Sequence, residues 1–168
     1  MDERCRIHHL EPRCCFAQRD DVSLSFWQAR PTLELAEMQR VVLERVIEEH
    51  GRLMAMTSFR FVHSQPSAVR DAVLRWKFED IARLVDGPLC AHALVIQVPG
   101  FASMFVHATA TALGALMRSK VRTKVFSEPL SAVRWLAEQR SGGARPGEAE
   151  ALSSLVAHIG ERLRESWP

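Results

Sequence analysis

The residues from Val62 to Asp71, VHSQPSAVRD, set two hydroxyls, Ser64 and Ser67, beside an imidazole, His63. A serine nucleophile needs such a ring as its base, an acid to orient the ring, and a turn that presents the hydroxyl to substrate. Neither serine has a glycine beside it, and a helix start does not by itself bring base and nucleophile together. A second chemistry is modification. A phosphate on either serine at a helix N-terminus would meet free backbone amides and the positive end of the helix dipole. The third reading is architectural: Pro66 presets the chain for a helix, Ser67 caps it, and Asp71 sits in the first turn. The residue types favour the third reading, with Ser64 and Ser67 kept as candidate phosphorylation or switch positions and no catalytic residues assigned.

Other residues with chemical potential are weaker. Cys5, His8, His9, Cys14 and Cys15 could in principle gather zinc, but they form no pair of CxxC or HxxxH spacings. Adjacent residues of a strand also point to opposite faces, which would separate Cys14 from Cys15. No metal is therefore expected. Pro99-Gly100-Phe101 lacks the further glycines and the lysine of a phosphate-binding loop, so no nucleotide cofactor is expected. His92, inside an apolar run, reads as a core histidine bonded to backbone, and His107 reads the same way.

The totals fit an ordinary folded domain. The chain has 168 residues, 47% of them hydrophobic and 25% charged. Its 22 Lys and Arg against 20 Asp and Glu give a net charge of +2, with the basic residues scattered. That balance does not point to nucleic acid or an anionic membrane as partner. No apolar run approaches the roughly 20 residues of a membrane span, and MDERCRIHHLEPR has charges where a signal peptide is apolar. A cytoplasmic setting with four reduced cysteines is expected.

Periodicity supplies the elements. Cys14–Gln18 and Val22–Gln28 read as strands joined by a turn at Arg19-Asp20-Asp21. Thr32 caps a helix in which Leu35, Met38, Val42 and Val46 recur at steps of three and four, and Gly51 ends it. Leu53-Met54-Ala55-Met56 is apolar on both faces, as in a covered parallel strand. A helix over Ala68–Val85, a strand over Cys90–Val98, a helix over Phe101–Lys120 and a strand over Val121–Ser127 follow. Ser127 is then expected to cap a helix whose Leu130, Val133, Trp135 and Leu136 face inward. Strands alternating with long helices imply an α/β fold with a mostly parallel sheet and an antiparallel N-terminal hairpin. Residues 1–11 read as a tail, 12–140 as the α/β domain, 141–147 as a linker and 148–168 as an extra helix with an apolar stripe.

Three passages carry a family likeness: HSQPSAVRDAVLRW, ALVIQVPGFASMFVHATATAL and VRTKVFSEPLSAVRWLAEQ. With the order of elements they resemble the STAS-like domains, the fold of bacterial anti-sigma-factor antagonists, and more narrowly the stand-alone STAS-like proteins. The resemblance covers about residues 12 to 140. It implies a non-catalytic regulatory or scaffolding domain that works by protein contact and is switched by phosphorylation at the helix after the third strand, where Ser64 and Ser67 stand.

Two further features point to a partner surface. Trp27, Trp76 and Phe78 are large apolar groups whose exposure would mark an interface. Leu152, Leu155, Ile159 and Leu163 of the last helix would form another if that helix does not fold back, making a homodimer. The rival reading is a carrier of a small apolar ligand or lipid held between sheet and helices.

Overall fold

The alternation of short apolar runs with amphipathic ones produces six strands and four helices in a computed structural model, which describes residues 3–29, 31–60, 72–97, 121–140 and 145–165. Among these the strands are β1 (Cys5–Glu11), β2 (Cys14–Arg19), β3 (Val22–Trp27), β4 (Leu53–Phe59), β5 (Leu89–Ile96) and β6 (Arg122–Phe126). The helices are α1 (Leu33–His50), α2 (Ala72–Val85), α3 (Pro129–Glu138) and α4 (Glu148–Glu165). The sheet runs β1-β2-β3-β4-β5-β6; its first two pairings are antiparallel and the other three parallel. The fold is thus α/β with a mixed sheet.

Local signals explain most boundaries. The turn between β2 and β3 places Asp20 at φ 49°, a left-handed conformation that aspartate tolerates better than most residues. The Thr32 hydroxyl accepts from the Leu35 amide at 3.3 Å, and Gly51, at φ 67°, closes α1 by donating its amide to the Ile47 carbonyl at 2.7 Å. α3 starts later than its serine suggests: Glu128, not Ser127, is the N-cap residue, because Pro129 occupies the first turn and fixes the start.

Strand alternation divides the interior into two faces. On one, α1 and α2 cover Cys14, Phe16, Trp27, Leu53 and Leu89. On the other, α3 and α4 cover Cys15, Ala17, Val22, Leu24, Phe26, Met54, Met56, Ala91, Ala93 and Val95. The strand order advances steadily from β3, and right-handed crossovers then put successive connecting helices on one side. α1 and α2 do share that side.

Two expectations are corrected. The segment taken as an N-terminal tail is edge strand β1. A register shift between Ile7 and His9 breaks its period of two, so Ile7 and Leu10, three apart, both pack on the α3–α4 face. The stripe of α4 is the other correction: Leu152, Leu155, Ile159 and Leu163 are all buried in the chain's own core against α3 and the strands. The antiparallel end of the sheet is wide enough to receive a helix there, and burying each such side chain is worth about 1.5–3 kcal/mol. Leu130, expected inside, is 40% exposed, while Val133 and Leu136 are internal.

Candidate functional site

Two places in the described residues combine side chains that could act on another molecule. The first is a cleft of about 400 Å³ lined by Asp20, Asp21, His50, Arg52, Arg140 and Arg145. It lies where the β2–β3 turn, the start of β4 and the end of α3 meet. Arg140, nearly inaccessible, pairs through Nη2 with Asp21 and, at 2.9 Å, with Glu148 Oε1 at the first residue of α4. Arg52 Nε lies 2.6 Å from Asp21 Oδ2. At the rim Arg145 approaches Asp20 at 3.7 Å.

The three guanidinium groups therefore face three carboxylates, and the charges cancel across the cleft. Such a set ties elements together: Asp21 comes from a hairpin turn, Arg140 from the end of α3, and Glu148 from the start of α4. Nε and Nη1 of Arg140 find no hydrogen-bond acceptor among the described residues. The pairing accordingly positions these elements more than it adds net stability. The cleft also lies at the amino ends of β3 and β4, whereas open parallel sheets bind ligands at the carboxyl ends of their strands.

The second place is a shallow recess of about 530 Å³ between α1 and α2, lined by Leu33, Glu34, Glu37, Trp76 and Lys77. Trp76 is 56% exposed and Leu33 47%. Lys77 pairs with Glu37 and its ammonium lies 5.9 Å from the centre of the Trp76 ring. Glu37 also receives Arg40 Nε at 3.0 Å. Hydrogen bonds from Lys77 first, and from Arg40, hold the Glu37 carboxyl below the ordinary carboxylate range.

No protein-family model, curated protein or solved structure matches this chain. Function must be argued from the residues.

The remaining candidates are dispersed. Trp27 is 1% exposed, with its ring edge-on to Phe16 at 5.2 Å and to Phe78 at 6.4 Å, and Phe78 packs against the core. Of the three aromatics expected at an interface, Trp27 is internal, Phe78 is partly buried with its ring against Trp27, and Trp76 alone is exposed. Leu152, Leu155, Ile159 and Leu163 do not form an outer surface either. Ser64, Ser67, His63 and His107 lie outside the described residues.

The thiols and histidines of the N-terminal strands do not converge. Cys14 and Cys15 fall on opposite faces of the sheet, as strand alternation requires. Burial, aided by Glu11 for Cys14 and by Cys14 for Cys15, pushes both thiols up to about 12, far from a reactive thiolate at neutral pH. His8 Nε2 lies 2.9 Å from Gln18 Oε1, and His9 stacks on Phe16 at 5.8 Å. Cys5 accepts from Arg19 at 3.2 Å. Among the described residues no three such ligands form a metal site. His92 is a core histidine, but its partner is the Thr57 hydroxyl, 3.1 Å from Nε2, and not backbone. Desolvation pushes the ring down to about 4, so it is neutral at physiological pH.

Sequence reasoning passed over the Asp21–Arg140–Glu148 triad and the buried Gln39–Ser25 pair, in which the amide donates at 3.0 Å. Their members sit far apart in the chain and carry no period. The one available signal was charge at the ends of elements, where solvated residues are equally common.

Proposed function

We propose that this chain is a non-catalytic protein-interaction domain of regulatory or scaffolding type, docking through the α1–α2 shelf around Trp76. The observation that carries the reading is a half-exposed tryptophan set beside an exposed leucine, within a rim of charged residues of both signs. Interfaces are anchored by such aromatic groups, whose large rigid area costs little entropy to order, with polar residues around them. The STAS-like assignment belongs to the same proposal: the parallel strands after an antiparallel start, and the helices between them, are what that resemblance implies. So does a cytoplasmic setting in a bacterial signalling system; among the described residues no helix is long and apolar enough to cross a membrane. The rival, a carrier of a small apolar ligand, draws less support, because the apolar recess is open to solvent on α1 and α2 and does not lie between sheet and helix.

A photo-crosslinking amino acid placed at position 76, and in a control at the exposed Glu161 of α4, tests this in the cell of origin. The expected result is a discrete protein adduct from position 76 that position 161 does not give. Equal capture from both faces, or none from 76, overturns the assignment of the shelf.

A further inference from the structure

The charges that line the α1–α2 recess do not balance. Two carboxylates, Glu34 and Glu37, share it with one ammonium, Lys77. Lys77 is committed to Glu37, and Arg40 reaches Glu37 at 3.0 Å and Glu44 at 3.2 Å, so the nearby cations are spent on other acids. Glu34 is exposed and forms no ion pair among the described residues. Its place in the first turn of α1 suits the positive end of the helix dipole, but the partial charges of backbone amides do not neutralise a carboxylate.

Trp76 opens into the same recess. Its ring already draws a cation, since the Lys77 ammonium lies 5.9 Å from the ring centre, and Glu37 cancels the charge of that neighbour. With the residue 56% exposed, the ring keeps open surface for a second cation. An unpaired acid and an open indole in one recess ask for the same group. The side chain that answers both is arginine, whose planar guanidinium stacks on an indole while its N–H fork matches a carboxylate. A lysine ammonium brings a point charge without the flat face. A partner that brings phosphate would meet repulsion from Glu34. Leu33, 47% exposed on the same wall, leaves room for an apolar residue next to the arginine.

We infer that the partner docking on this shelf is a protein segment that presents an arginine to Trp76 and Glu34, with an apolar residue beside it over Leu33. This rests on the interaction-domain reading and names the chemistry of the partner.

The probe is the dipeptide acetyl-Arg-Leu-amide, titrated at constant ionic strength into the full chain, with binding read from the indole N–H resonance that Trp76→Phe removes. The control is the same dipeptide with citrulline, which keeps the shape of arginine and lacks its charge. The expected result is a saturable shift of the Trp76 resonance by the arginine dipeptide, with the citrulline dipeptide weaker by about fivefold or more. Glu34→Gln should weaken the arginine dipeptide by a similar factor and leave the citrulline dipeptide unchanged, whereas Glu161→Gln on α4 should alter neither. A fault in folding would not discriminate between the two dipeptides. No saturable shift, equal binding of both dipeptides, or indifference to Glu34→Gln overturns the inference. If a crosslinker at position 76 still captures a discrete protein whose yield Glu34→Gln does not lower, the arginine fails and the docking reading stands. If position 76 captures nothing, the docking reading fails and the inference falls with it.

Discussion

The two helical layers bury apolar residues in comparable ways on the inside and differ on the outside. α3 and α4 turn their apolar residues toward the sheet except Leu130, which is 40% exposed, and the charges at their junction are paired among themselves at Arg140. α1 and α2 cover the opposite face equally well yet leave Leu33, Val41 and Trp76 in solvent. A continuous apolar stripe marks what a helix does for its own fold, whereas singly exposed apolar residues are ordinary on any surface, and it is the size of the Trp76 ring beside Leu33 that sets the α1–α2 layer apart. The last helix has the more conspicuous stripe and is the less available surface.

The largest effect expected from this contrast is at the closed layer. Arg140→Met removes the cation between Asp21 and Glu148, leaving the Glu148 carboxylate buried without it and Asp21 held by Arg52 alone. Breaking such a buried pair costs about 3–5 kcal/mol, to be read as a fall in the urea midpoint. Replacing Asp21 and Glu148 as well, by Asn and Met, should recover part of the loss, because the uncompensated charges go with them. A loss under about 1 kcal/mol from Arg140→Met alone would mean that the junction is solvated and that the two layers are not distinguished by closure.

The second effect comes from the face that α1 and α2 share with His92. Its ring is buried neutral, with desolvation holding it down to about 4 against an ordinary value near 6.5. The sign follows: above about 6.5 the ring is neutral in folded and unfolded chain alike and has no influence on pH dependence. As pH falls from there toward 4, the unfolded chain takes up a proton that the folded one refuses, and stability declines. A shift of that size corresponds to about 3 kcal/mol lost across the window, which His92→Gln should abolish as a pH-dependent component. Equal slopes for both proteins between pH 6.5 and 4 would show that the ring is not buried in the native state.

What the sequence disclosed follows the same division. Period is a property of packing, so the helix over Leu33–His50, the covered strand at Leu53–Phe59 and the hairpin around Asp20 were legible from residues alone. β1 was not, because one extra residue near His8 shifts its pattern and disguises a strand as a charged tail. The destination of α4 was not legible either: its stripe states that it must be buried, and only the width of the sheet decides against what. The triad at Arg140 depends on three junctions meeting, for which no local pattern exists. Trp76 was singled out by size together with Trp27 and Phe78, and sequence could not separate them: Trp76 and Phe78 stand two apart among the charges Arg75, Lys77 and Glu79, and only the angle at which α2 meets α1 decides which ring turns inward.

The smallest expected effect is the most diagnostic of the open layer. Trp76→Ala removes the largest side chain of the shelf, and if that ring contributes nothing to the fold, stability should move by no more than about 0.5 kcal/mol. A tryptophan packed in a core would instead cost about 3–5 kcal/mol on the same substitution. Thermal and urea unfolding separate the two outcomes. A near-neutral result would place the value of the ring outside its own chain. A loss of several kcal/mol would return Trp76 to the interior, and the contrast between the layers would vanish.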